Sequence, residues 1–149
     1  MGPAPAGGEP VTRITLPASL RAEMLVHAMA GRPLEACGLI GGRQRQPVRF
    51  WPTRNAAASP VRYEVDPRDL LAVTIAMEDE GSELWGIFHS HPATEAYPSQ
   101  TDIRLAAYPD AVYLIASLAA CQGADPAGAV LRAFRIRGTT VDEMELVSG

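Results

Sequence analysis

No lysine occurs anywhere in the 149 residues, so all thirteen basic residues are arginine. Schiff-base chemistry and a phosphate-gripping P-loop lysine are thereby excluded. Only two cysteines are present, Cys37 and Cys121, far apart and outside any C-x-x-C pattern. They provide no disulfide framework and are expected to be reduced thiols of a cytoplasmic protein. Long apolar runs are also missing. The longest, AVYLIASLAAC from Ala111 to Cys121, is too short to span a bilayer and reads as a buried strand, so no membrane anchor is expected. The opening MGPAPAGGEP has neither a basic region nor an apolar core and is not a secretory signal; residues 1–12 are expected to form a disordered tail. A net charge of −4 with pI near 5.3, and arginines scattered along the chain, argue against a nucleic-acid partner.

What remains is long enough for one domain with a core of its own, expected over 13–149. Pro17 and Gly31 bracket SLRAEMLVHAMA, in which Leu20, Met24 and Ala28 recur at helical spacing. Residues 36–42 and 47–53 read as two strands joined by a polar turn at 43–46. Asp66 as N-cap, Pro67 at the first helical position, Asp69 in the first turn and Gly81 just past the end define a second helix. ELWGIFHSH from Glu83 to His91 reads as a strand stopped by Pro92, with Trp85, Ile87, His89 and His91 on one face. A short helix over 99–108, a strand over 111–118 and a hairpin turning at Gly138 complete the chain. Interleaved strands and helices predict an α/β or α+β domain with a central mixed sheet.

The stretch HSHPATEAYPSQTD, residues 89–102, carries the functional signal. Two histidines two apart on a strand have Cα atoms roughly 6.5 Å apart, close enough for both imidazoles to reach one ion. Ser99 and Asp102 form the S-x-x-D pattern of a capping box. A helix start held near the strand end would aim Asp102 at the imidazoles. That gives three protein ligands with one position left open, the catalytic rather than the structural zinc pattern.

His89-Ser90-His91, seven residues, Ser99, two residues and Asp102 resemble the JAMM (MPN+) metallopeptidase motif without a gap, and Glu35 stands where that family carries its catalytic glutamate. PLEACGLIGG around Glu35, YEVDP at 63–67 and GIFHSHP at 86–92 are similar to bacterial members. The resemblance implies a curved mixed sheet of cytidine-deaminase-like type and one Zn²⁺ held by His89, His91, Asp102 and a water. It implies Glu35 as the proton-transferring base and Ser99 as a donor to the oxyanion. It further implies hydrolysis of the amide after the C-terminal Gly-Gly of a ubiquitin-like or sulfur-carrier protein, releasing cysteine or a conjugated lysine. No insertion is long enough to hold two ubiquitins, so a flexible tail is expected to lie extended across the sheet edge. A homodimer is left open.

The remaining candidates carry weaker expectations. Tyr97 is a candidate for lining a substrate groove, His27 for a surface or groove histidine, Cys37 for a small core residue, and Trp85 for packing. Three other readings compete. A cupin would use His89, His91 and Glu95, but needs another histidine, and none follows His91. A non-catalytic scaffold of the same fold would usually lack ligands that are all present here. A DNA-associated relative is disfavoured by the acidic charge.

Overall fold

A computed structural model describes residues 12–149. All but Thr12 of the expected tail therefore lies outside the described residues. One seven-stranded sheet runs through the domain in the order β1-β7-β6-β5-β4-β2-β3. Its strands are β1 (Arg13–Leu16), β2 (Cys37–Arg43), β3 (Gln46–Thr53), β4 (Glu83–His91), β5 (Val112–Ser117), β6 (Val130–Arg137) and β7 (Thr140–Ser148). The β4/β5 and β1/β7 pairs are parallel and the others antiparallel. This is the expected mixed sheet of an α+β domain.

Helix α1 (Ala18–Gly31) covers one face, where Leu20, Met24 and Ala28 meet Ile40, Phe88 and Leu114. Helix α2 (Pro67–Glu80) covers the other, setting Val73 and Met77 against Leu39, Ile87 and Ile115. Covered on both sides, β5 is buried throughout, as its unbroken apolar run requires. The ends of α2 follow its sequence signals. The Asp66 side chain accepts from the backbone N–H of Arg68, and Gly81 ends the helix at φ 74°. A Cβ at Gly81 would meet nothing within 4 Å, so its conformation alone demands glycine. Gly81→Ala is expected to lower stability by about 1 kcal/mol, read from the denaturant midpoint with the slope unchanged.

One strand was not anticipated, and two expectations need correction. Strand β1 gave no periodic signal in four residues and exists by pairing with β7 at the far end of the chain. Helix α3 spans only Gln100–Leu105 rather than continuing to Tyr108. Ala106 is already extended, and the residue preceding Pro109 is disfavoured in a helix. Trp85 does not share a face with Ile87, His89 and His91. The β2–β4 register slips between Ile40 and Gly41, whose partners are Gly86 and Leu84, which leaves Trp85 as the extra residue of a bulge. Trp85 therefore packs on the α1 side, while Ile87 packs on the α2 side.

Candidate metal centre

Beyond the bulge β4 is regular, and the alternation from Ile87 onward sends His89 and His91 to the same side. Asp102 reaches them from α3. Ser99 caps that helix, its Oγ accepting from the Asp102 N–H at 3.0 Å while its own N–H donates to Asp102 Oδ2 at 2.9 Å. The reciprocal pair is the capping box expected from S-x-x-D, and it locks the carboxylate in place. The same Oδ2 lies 3.1 Å from His89 Nε2 and 3.0 Å from His91 Nε2, and the two Nε2 atoms are 3.1 Å apart.

These distances form a near-equilateral triangle. Tetrahedral ligands about 2.0–2.2 Å from a zinc ion stand roughly 3.3 Å from one another, so the triangle fits the ion after a small expansion. Tautomers agree with this fit. The Glu95 carbonyl can only accept, so His91 Nδ1–H donates to it at 2.7 Å, and in the neutral ring Nε2 carries the lone pair. Glu95 thus serves His91 through its backbone, and its exposed side chain plays no part of the kind a cupin would need. Burial pushes the His89 imidazole down, keeping it neutral and able to ligate. Burial pulls His91 down as well, yet the Asp102 carboxylate and the Glu95 carbonyl leave it above the usual value. Burial alone would raise Asp102, but the two imidazoles and the Ser99 N–H hold it well below the carboxylate range.

Glu35 joins this group. One ligand atom from each of Glu35, His89, His91 and Asp102 lies within 4.8 Å of the others, and all four residues are buried. Glu35 stands two residues before β2, and its position is set by backbone bonds. Its N–H donates to the Ser59 carbonyl at 2.9 Å, and its carbonyl accepts from Asn55 Nδ2 at 3.0 Å. The next residue, Ala36, donates to Ser90 Oγ at 2.9 Å and accepts from Ser90 N at 3.0 Å. Ser90, between the two histidines, thereby ties the Glu35 segment to β4. Burial pushes the Glu35 carboxyl up to about 8 against the opposing influence of His91, and its Oε1 has no hydrogen-bond partner among the described residues.

Sequence reasoning passed over Asn55 and Ser90 as site-building residues, and over Tyr63, whose ring stacks on His89 at 4.3 Å. The only sequence signal was indirect: Tyr63 opens YEVDP and Ser90 divides the histidine pair. Of the weaker candidates, Tyr97 lies edge-on against Phe134 with Arg132 over its ring. His27 bonds the Cys37 carbonyl at 2.8 Å, away from the four-residue group. Cys37 is fully buried beside Thr53 Oγ1, and burial pushes its thiol up to about 11. No helix among the described residues is long and apolar enough to cross a membrane.

A groove of about 490 Å³ opens beside Asp102 between residues 62–67 and 101–108, with Leu39, Val65, Leu70, Ile87, Leu105 and Tyr113 among its walls. Both of its banks are loop and helix segments. The groove lies on the α2 face of the sheet, and neither terminal strand of the sheet, β1 or β3, contributes to its walls.

A family model described as prokaryotic homologs of the JAB domain matches residues 17–137. The chain is 41% identical to the CysO-cysteine peptidase of Mycobacterium tuberculosis over 132 residues, 87% of this chain and 87% of that protein. It is 38% identical to the desampylase of Haloferax volcanii over 113 residues, 71% of this chain and 81% of that protein. The solution structure of a Desulfitobacterium hafniense protein, 41% identical, superposes with a TM-score of 0.81 over 91% of this chain and 92% of the other.

Proposed function

The chain belongs to the family of prokaryotic homologs of the JAB domain, and from that premise we propose that it is a zinc peptidase cutting after the C-terminal Gly-Gly of a ubiquitin-like or sulfur-carrier protein. Its named relatives are a CysO-cysteine peptidase and a desampylase, and the chain is a hydrolase of their kind. One observation carries the reading beyond the family: three buried donor atoms lie 3.0–3.1 Å apart with a carboxylate beside them.

His89, His91 and Asp102 would hold the ion, which when bound supplies a Lewis acid that acidifies water and polarises a carbonyl. Glu35 takes a proton from the attacking water and delivers it to the leaving nitrogen as the C–N bond breaks, so one carboxyl serves as base and then as acid. Its carboxyl, with an oxygen within 4.8 Å of the other three ligand atoms, is the group placed for this. The Ser99 hydroxyl accepts from the Asp102 N–H, which leaves its own proton to donate to the oxyanion of the tetrahedral intermediate.

The surroundings support a glycine-ended substrate. His89, His91, Asp102 and Glu35 are at most 8% exposed, so the scissile bond must approach without side chains in the way. The apolar groove next to Asp102 suits the residues that precede the glycines, held extended. Cysteine or a conjugated lysine leaves on the opposite side.

A carrier ending in Gly-Gly-Cys should be cleaved, and the same carrier ending in Ala-Ala-Cys cleaved about 10–100-fold more slowly, the usual worth of a misplaced methyl in a closed site. Mass spectrometry of the carrier reads both rates. Equal rates, or no cleavage of carriers and isopeptide conjugates alike, would overturn this substrate class.

A further inference from the structure

The two histidines of the centre are not held alike. His91 donates Nδ1–H to the Glu95 carbonyl at 2.7 Å, which fixes both its ring and its tautomer. His89 Nδ1 is buried and has no hydrogen-bond partner among the described residues. Metal-binding histidines ordinarily donate their second N–H to a partner that orients the ring, and losing that partner costs about 10–100-fold in metal affinity. Something else must orient His89.

The Tyr63 ring lies parallel to it, centroids 4.3 Å apart and planes 21° apart. Tyr63 is itself rigidly placed, because one side chain grips the backbone on either side of it. Asn55 Nδ2 donates to the Arg62 carbonyl at 3.1 Å and Oδ1 accepts from the Glu64 N–H at 3.0 Å. The second Asn55 Nδ2 bond, to the Glu35 carbonyl at 3.0 Å, joins the same turn to the base. A bond of 2.7 Å from Ala56 N–H to the Glu64 carbonyl closes it. An aromatic face clamped in this way prevents rotation of an imidazole that has no hydrogen bond to do so.

We propose that Tyr63 is a positioning residue for His89, its ring face taking the place of the missing hydrogen bond. The inference rests on the reading that His89, His91 and Asp102 hold a metal. It also predicts which part of Tyr63 matters: the ring, not the hydroxyl.

Tyr63→Phe, Tyr63→Leu and Tyr63→Met separate these parts. Because Tyr63 also borders the substrate groove, the readouts are taken without substrate: the rate at which zinc passes to a chelator, and the visible absorption of the Co²⁺-loaded protein. Tyr63→Phe should match the wild type within about twofold. The Leu and Met variants should fold by circular dichroism, release zinc about 10-fold faster and shift the cobalt bands. Unchanged release and spectra in the Leu and Met variants would overturn the role, as would a Phe variant as impaired as they are. Failure of both non-aromatic variants to fold would also overturn it, making the ring a requirement of the fold. A wild-type protein that takes up no Co²⁺ or zinc would sink the metal reading itself, a result distinct from each of these.

Discussion

Glu35→Gln is expected to retain stoichiometric zinc and to lose kcat by about 10²–10⁴-fold, the range that general acid–base groups contribute. The substitution keeps the shape of the side chain. The backbone around it stays anchored by Ser59, Asn55 and Ser90, so the segment has no reason to move. Only the capacity to take and return a proton disappears. Thermal stability should not fall, because the burial that pushes this carboxyl up to about 8 disfavours a charge that glutamine does not carry. Elemental analysis with a single-turnover assay separates the possible outcomes. Near-normal kcat would remove Glu35 as the base. Loss of zinc would make it a ligand, a role its place within 4.8 Å of the other donor atoms makes worth testing.

The site was more legible than the structure that supports it, for a physical reason. The spacing of the proposed site residues is local: His89 and His91 are two apart on a strand, and Ser99 and Asp102 are three apart at a helix start, so strand alternation and cap geometry bear on their placement from sequence. Helix α2 was equally plain because Asp66, Pro67 and Gly81 each act within one turn of its ends. Non-local features stayed hidden. The β1–β7 pairing joins Arg13 to Glu145, and no window of sequence contains both. The bulge that turns Trp85 away from Ile87 depends on how β2 registers against β4, which periodicity within β4 cannot reveal. Asn55 escaped notice for a related reason. Its side chain organises backbone groups of Glu35, Ala57, Arg62 and Glu64 at once, and such a hub in an irregular segment leaves no repeating pattern.

Asp102→Asn should lower zinc affinity by more than about 100-fold, beyond the range of losses from supporting residues, while leaving the helix start intact. The two duties of Asp102 meet at a single atom, since Oδ2 accepts from the Ser99 N–H and also lies 3.0–3.1 Å from both imidazole Nε2 atoms. An asparagine oxygen at that position still accepts from the Ser99 N–H, so the capping bond survives. The negative charge does not survive, and a neutral amide oxygen is a poor third ligand for a dication already facing two neutral imidazoles. Asp102→Ala removes both duties, and it should lose zinc similarly and stability by about 1 kcal/mol more than the asparagine variant. Ser99→Ala is the complement: the ligand set is untouched, so zinc should remain, while kcat falls about 10²-fold with the oxyanion donor gone. Zinc content after dialysis, urea midpoints and kcat for the three variants test these roles independently. Wild-type zinc affinity in Asp102→Asn would strike Asp102 from the ligand set and leave it only the cap.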